Sequence, residues 1–229
     1  MKYKLTDVKI NFMGKTLFQI EAVKCFGDIV KGQKGGFIEN ESNLSQFGNA
    51  WVYGNAEVHG DALVYDNAWV YDNAWVHGDA KVYGNAEVYG NAEVYGNAEV
   101  YGNALVHGDA LVYSNAKVYD NAWVYDNALV HGDAKVYGNA WVHGNAEVYG
   151  NALVHGDADY LVIGPIGSRN DRTTFFKTAN NDIKVSCGCF TGTIEEFLEK
   201  VNETHGNNNY AKEYKTAVEI AKIHIFGGE

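Results

Sequence analysis

Hydrophobic and polar positions repeat with a period of six through the middle of the chain. Alanine occupies every sixth position from Ala50 to Ala158, and valine follows two positions behind it from Val52 to Val154. Residues two apart on an extended strand share a face, so Ala and Val point inward while the residues between and after them point outward. Each unit ends in Gly, Asp or Ser followed by Asn or Asp, which suit a tight corner. Each hexad therefore predicts a short strand and a turn.

Three hexads close a triangle, so the repeat predicts an all-β solenoid with coils of 18 residues. About six coils at the ~4.8 Å spacing of neighbouring strands make a rod about 29 Å long. An interior built only from Ala and Val leaves no room for a ligand inside the rod.

Both ends of the chain depart from the hexad. We expect an N-terminal β cap over residues 1–49, a hexapeptide β-helix over 50–158 and a small C-terminal α+β head domain over 159–229. The cap is needed because a terminal coil otherwise exposes an unpaired strand edge. In the head, strands are predicted for YLVIG, TTFFKTA and DIKVSCGCF. Thr193 and Glu196 form a capping box for a first helix, and YAKEYKTAVEIAKIHIF predicts a second.

The hexad V-x-G-N-A-x is similar to the aliphatic-x-x-N-small-x repeat of the left-handed β-helix hexapeptide family. That family includes trimeric acyltransferases and γ-class carbonic anhydrases, so the resemblance implies a left-handed coil and a homotrimer of parallel rods. Residues 31–52 also resemble uncharacterised transferase-like hexapeptide proteins of bacteria and phages. The tail, with YLVIGPIGSRND and VSCGCFTGT, resembles a head domain of phage and gut-bacterial proteins. A right-handed β-helix is the alternative.

The rod carries the whole formal charge of the chain. Residues 50–157 hold three lysines against five Glu and nine Asp, which accounts for the net charge of −11. An acidic rod repels phosphates, so direct binding of nucleic acid by the rod is disfavoured. The aspartates are explained by turn formation at the corners. Mimicry of a nucleic acid by the acidic rod is the alternative.

Cysteine usage and hydropathy favour a cytoplasmic protein, and the family resemblance implies a bacterial cell, with a gene carried by the bacterium or by a phage. Cys25, Cys187 and Cys189 make an odd number, and neither a signal peptide nor a membrane-length apolar run is visible. The C-G-C pair lacks the second pair of ligands that a zinc site needs. We therefore expect buried or strand-borne thiols, with no metal and no cofactor.

Outward residues that lie 18 apart stack into columns, and one column carries four tryptophans. A stripe this apolar predicts a contact surface. Self-association into a trimer is the leading interpretation, a protein or carbohydrate partner is the second, and copying of the repeat without a function is the third. The predicted interface consists of Trp51, Trp69, Leu105, Trp123 and Trp141.

The rod gives little sign of a catalytic site. The hexapeptide acyltransferases that it resembles interrupt the repeat with a loop that carries a general-base histidine, whereas this repeat is unbroken. The histidines stand in the tyrosine slot, where we expect interchangeable aromatic rings rather than bases. His59 and His77 stack on adjacent coils, but no third histidine completes a carbonic-anhydrase-like metal site. No catalytic residue is predicted.

The candidate binding site is the head loop GPIGSRNDRTT, which holds both arginines of the chain. Forked guanidinium groups with nearby hydroxyl and backbone donors suit a phosphate or a carboxylate. The alternative is that the arginines pair with Asp171, Asp182 or helix C-termini. The predicted anion site consists of Gly164, Gly167, Ser168, Arg169, Arg172 and Thr173.

These observations predict a non-catalytic, oligomeric β-solenoid scaffold whose head binds a protein partner or an anionic ligand such as a phosphorylated small molecule. The phage resemblance gives one alternative, an inhibitor of bacterial defence that acts as an acidic nucleic-acid mimic or as a sponge for signalling nucleotides. The family resemblance gives another, a coenzyme A-dependent acyltransferase.

Overall fold

The computed structural model describes residues 1–227, which form a parallel β-solenoid with an N-terminal strand region and a small C-terminal α+β unit. Strands β1 (Tyr3–Phe12) and β2 (Lys15–Ala22) form an antiparallel hairpin. Strand β3 (Lys34–Ile38) pairs antiparallel with β2 and leads into the rod through a 3₁₀ turn at Glu41–Asn43.

Each hexad contributes one strand of two residues, as the repeat predicts. Strands three apart along the chain pair in parallel, which gives one sheet on each side of the rod. The strands are β4 (Trp51–Val52), β5 (Glu57–Val58), β6 (Leu63–Val64), β7 (Trp69–Val70), β8 (Trp75–Val76), β9 (Lys81–Val82), β10 (Glu87–Val88), β11 (Glu93–Val94), β12 (Glu99–Val100), β13 (Leu105–Val106), β14 (Leu111–Val112), β15 (Lys117–Val118), β16 (Trp123–Val124), β17 (Leu129–Val130), β18 (Lys135–Val136), β19 (Trp141–Val142), β20 (Glu147–Val148) and β21 (Leu153–Val154).

The core and the corners of the rod follow from the hexad. Every repeat alanine from Ala50 to Ala152 and every repeat valine is at most 1% exposed. The first corner residue takes a positive φ, for example 59° at Asp66, a conformation that Gly and Asp tolerate. The asparagines that follow form ladders along the rod. Asn67 Nδ2 donates to Asn85 Oδ1 at 3.1 Å, and Asn85 Nδ2 donates to Asn103 Oδ1 at 3.0 Å.

The rod begins before the first hexad. Ile38 pairs in parallel with Val58, and Leu44 bridges to Val64, so the segment from Lys34 winds an additional coil and the rod has about seven turns. Ile38 and Leu44 are buried and six positions apart, but eight positions separate Leu44 from Val52. This two-residue insertion hides the first coil from the six-residue period.

The C-terminal unit begins with a 3₁₀ turn at Asp157–Asp159. Four antiparallel strands then form one sheet in chain order: β22 (Tyr160–Ile166), β23 (Asp171–Lys177), β24 (Ile183–Cys187) and β25 (Phe190–Thr193).

Two helices follow the sheet, α1 (Ile194–His205) and α2 (Asn209–Phe226). Thr193 Oγ1 accepts a hydrogen bond from the backbone N–H of Glu196, which confirms the predicted capping box.

The sheet of the C-terminal unit lies between the rod and the two helices. Side chains alternate along β23, so Phe175 packs into the helical core while Phe176 packs on Tyr149 of the last coil, with ring centroids 5.0 Å apart. Ser186 Oγ donates to the Glu147 carboxylate at 2.5 Å, and the backbone N–H of Ala179 donates to a carbonyl of the last coil at 3.0 Å. One face of the sheet thus closes the end of the rod, and the other carries the helices.

Candidate functional site

The six residues predicted to bind an anion do not form one site. Residues 167–170 make the turn between β22 and β23, and Arg169 extends from this turn toward α1. Arg172 belongs to β23 and lies on its rod-facing side, together with Phe176. The two arginines therefore line separate cavities on opposite faces of the sheet.

Several of the expected anion donors are already bonded within the protein. The backbone N–H of Gly167 donates to the Glu213 carboxylate at 2.6 Å. Thr173 is fully buried, and its hydroxyl donates to Cys187 Sγ at 3.2 Å. The expectation that Gly167 and Thr173 offer free donors is therefore wrong. Gly164 precedes Pro165 within β22 and lies outside the turn.

The alternative in which the arginines pair with nearby acidic residues is also wrong. Within residues 1–227, neither arginine forms an ion pair. Asp171 Oδ1 accepts the backbone N–H of Arg172 at 2.8 Å, and Asp182 Oδ1 accepts that of Ile183 at 2.8 Å. Both carboxylates thus accept the backbone N–H of the residue that follows them.

Arg169 lines a cavity of about 320 Å³, the helix-side cavity, which lies between the β22–β23 turn, the β24–β25 turn and the two helices. No acidic side chain of the described chain lines it. Its polar lining includes Ser168, Arg169, Cys189, Lys200, His205 and Tyr214.

The turn of the C-G-C segment supports the Arg169 side chain. Gly188 has φ +62°, and a Cβ atom added there would lie 2.6 Å from Arg169 Cζ. Only glycine leaves space for the guanidinium group at this position. Ser168 Oγ lies 3.4 Å from His205 Nε2 on the neighbouring wall of the cavity. The guanidinium group is therefore held against backbone rather than by a carboxylate.

Tyr214 supplies a phenol that stays protonated. Burial raises the pKa of Tyr214 to about 12, the Cys187 thiol beside it also raises that pKa, and Arg169 lowers it. The helix-side cavity thus combines the Arg169 guanidinium group and hydroxyl donors with Lys200, whose Nζ also lies 3.1 Å from the Glu203 carboxylate, and this set favours an anion at Arg169.

Arg172 lines a second cavity of about 420 Å³, the rod-side cavity, which lies between the last coil and the C-terminal unit. Asp157 Oδ1 accepts the backbone N–H of Trp141 at 3.0 Å, and His224 Nε2 lies 3.3 Å from the Asp157 carbonyl oxygen. Tyr160 is buried and meets His143 edge-to-face, with ring centroids 6.5 Å apart. Aromatic, acidic and basic side chains therefore meet where the repeat ends.

The tryptophan column is only partly exposed. Trp51 is fully buried beneath Tyr3 and Phe26, so the expectation that it belongs to an open surface is wrong. Trp69 and Leu105 are partly buried. Trp123 and Trp141 are 37% and 44% exposed and stack on each other with centroids 5.2 Å apart. Self-association through this column stays a prediction.

The histidines of the rod take part in the same ring stacks as the tyrosines. His77 stacks on Tyr95 with centroids 5.0 Å apart and planes 2° apart, and its Nε2 lies 2.7 Å from the Glu93 carboxylate. His59 stacks on His77 and is covered by Phe12, and burial lowers the pKa of His59 to about 4. Within the described residues, no three His, Cys, Asp or Glu side chains converge on a metal position.

Sequence reasoning missed the part that Lys200, His205 and Tyr214 play in the helix-side cavity. The order of the predicted strands contained a signal for this cavity, because in an antiparallel sheet of four strands the first and third turns lie at the same end of the sheet. The turn with Arg169 and the C-G-C turn are therefore neighbours. The expectation of buried or strand-borne thiols is wrong for Cys25 and Cys189, which are exposed outside strands.

Comparison with known proteins supports the repeat architecture. Residues 62–78 match the model of the YdcK β-solenoid repeat, to which this part of the chain is similar. The comparison with curated proteins gave no match. Neither helix within residues 1–227 combines the length and the apolar character of a membrane span. The chain is thus a β-solenoid repeat protein, and its resemblance to the hexapeptide enzymes and to phage head domains stays a prediction.

Proposed function

We propose that this protein is a non-catalytic β-solenoid scaffold whose C-terminal unit binds a small anionic group in the helix-side cavity. The observation that carries the proposal is the side chain of Arg169, which lines a cavity without acidic side chains and has no ion-pair partner in the described chain. Arg169 is an exposed residue whose guanidinium group borders the cavity, and a guanidinium group without a counter-ion can bind a phosphate or carboxylate through two parallel hydrogen bonds.

The other polar groups of the cavity suit the same ligand. The hydroxyl groups of Ser168 and Tyr214 add neutral donors, and Lys200, which also contacts the Glu203 carboxylate, adds a second positive charge. A phosphate or carboxylate at Arg169 would receive forked hydrogen bonds from one guanidinium group and single bonds from the others. The hexads are unbroken and Ala and Val fill the interior, so the rod offers no internal space for a substrate, and we assign it a supporting role.

Titration calorimetry with inorganic phosphate tests the proposal. Arg169→Gln should weaken phosphate binding about tenfold or more, because a hydrogen bond to a charged group contributes ~1.5–3 kcal/mol. Lys212→Gln is the control, since it removes one positive charge from an exposed position of α2 that lines neither cavity. Equal losses in the two variants, or no binding of phosphate at millimolar concentration, would refute the proposal.

We also propose that the rods self-associate through the exposed part of the tryptophan column. Trp123 and Trp141 are 37% and 44% exposed and lie next to each other on the same side of the rod. Sedimentation at micromolar concentration should show a trimer for the natural protein and a monomer for Trp123→Asp. The Lys135→Asp variant is a control for a charge change on another side of the rod. A natural protein that sediments as a monomer contradicts this second proposal.

A further inference from the structure

The last coil of the rod presents aromatic rings at the end of the rod, and residues of the C-terminal unit cover two of them. Tyr160 covers His143, and Phe176 covers Tyr149. Trp141 is different, because it stacks on Trp123 on one side and meets no aromatic ring of residues 1–227 on the other. Its indole is 44% exposed and lines the rod-side cavity. One end of the tryptophan stack is thus open to a planar group.

A cation lies in the same cavity. Arg172 points from β23 toward the rod, and its guanidinium group has no ion-pair partner in the described part of the chain. Its neighbour Asp171 is occupied by the backbone N–H of Arg172 itself. A guanidinium group without an ion-pair partner favours a phosphate, which it can bind through two parallel hydrogen bonds.

The cavity also contains hydrogen-bond acceptors. One oxygen of the Asp157 carboxylate holds the backbone N–H of Trp141, while its other oxygen has no partner among the described residues. A carboxylate in such a position is a good acceptor for sugar hydroxyl groups, as in dinucleotide sites. Asn145 lies on the same wall. The volume of about 420 Å³ falls within the ~300–1,000 Å³ of small-molecule sites.

We infer that the rod-side cavity is a binding site for a nucleoside monophosphate, with the base on Trp141, the ribose hydroxyls at Asp157 and the phosphate at Arg172. A neutral sugar would leave the guanidinium group unpaired, and inorganic phosphate would leave the indole face uncovered. Only a ligand with a planar ring, hydroxyl groups and one anionic group matches all three features. This inference is independent of the anion site at Arg169, because the two cavities lie on opposite faces of the sheet.

Calorimetry with adenosine 5′-monophosphate tests the inference, with all measurements made in an Arg169→Gln background so that the helix-side cavity does not contribute. Arg172→Gln should weaken binding about tenfold or more. Trp141→Ala should weaken binding about fivefold or more, because stacking of a base on an aromatic side chain is lost. Trp141→Phe should retain most of the affinity. Trp69→Ala is the matched control, since Trp69 lies in the same column four coils away and does not line the cavity.

Two smaller probes separate the contributions of the ring and of the phosphate. Ribose 5-phosphate and adenosine should each bind at least about tenfold more weakly than the intact nucleotide. Ribose 5-phosphate that binds as tightly as the nucleotide would show that the base is not recognised. That result overturns the inference. Nucleotide binding that is unchanged in Arg172→Gln or in Trp141→Ala overturns it as well, and so does the absence of nucleotide binding at millimolar concentration.

Discussion

Replacing Trp51 by alanine should destabilise the protein strongly, whereas the same replacement of Trp141 should have a clearly smaller effect. The two residues occupy the same position of the hexad on the same side of the rod, five coils apart. Trp51 is fully buried, with Phe26 at a centroid distance of 5.4 Å and Tyr3 at 6.2 Å. Trp141 is 44% exposed. The repeat therefore contains its own matched control.

The magnitude follows from burial. Removing roughly 200 Å² of tryptophan surface from water is worth about 5 kcal/mol at ~25 cal/mol per Å², and alanine replacements of buried aromatic residues cost ~3–5 kcal/mol. The indole N–H of Trp51 has no acceptor in the described chain, which offsets about 1–3 kcal/mol of this gain. We expect a loss of about 3 kcal/mol for Trp51→Ala and a smaller loss of about 1 kcal/mol for Trp141→Ala, because Trp141 is partly exposed and its removal leaves no enclosed cavity.

Urea unfolding followed by far-UV circular dichroism measures both losses. Each coil of a solenoid contacts mainly its neighbours, so amide hydrogen exchange in Trp51→Ala should accelerate in the first coils and in the β1–β2 hairpin before the rest of the rod. Trp51→Phe keeps a ring and removes the unpaired donor, so it should recover most of the loss. Equal losses for Trp51→Ala and Trp141→Ala would refute the reasoning.

Two further predictions concern the C-terminal unit and the N-terminal cap. Gly188→Ala should weaken phosphate binding several-fold because the added Cβ displaces the Arg169 guanidinium group. Gly14→Ala, with a φ of +79° and nothing within 4 Å of its Cβ, is the control for backbone strain in the same calorimetric titration, since Gly14 lines neither cavity. As the pH falls from about 6.5 to about 4, the unfolded chain protonates His59 before the folded protein does, so the free energy of unfolding should fall more in the natural protein than in His59→Phe, as urea titrations at several pH values would show. Buried Glu57, whose pKa burial raises, contributes in the opposite direction in both proteins.

The rod could be predicted because its determinants are local. Ala and Val inside, an outward ring, and a corner residue with positive φ recur within every six residues, and the structure confirms each of them. The first coil lacks these signals, because Ile38 and Leu44 replace valine and two extra residues separate Leu44 from Val52. Periodicity detects only the coils that obey it.

The burial of Trp51 depends on distant residues and could not be read from the repeat. Tyr3 and Phe26 belong to the N-terminal segment, whose position over the first coil is set by tertiary pairing of β2 with β3. The separation of Arg169 and Arg172 could be predicted in part from the sequence. Alternation along β23 places Arg172 with Phe176 rather than with Phe175, but the sequence did not show which face of the sheet would meet the rod.

Periodicity also explains why the rod-side cavity lies at the end of the rod. Within the repeat, each outward ring has a ring above and below it, each asparagine of a ladder has a partner, and the interior is filled by Ala and Val. A coil in the middle therefore has its contacts satisfied by copies of itself. Where the repeat stops, the last rings need unlike partners; Tyr160 and Phe176 provide two of them, and the open face of Trp141 beside Arg172 is the contact that the chain itself leaves unfilled.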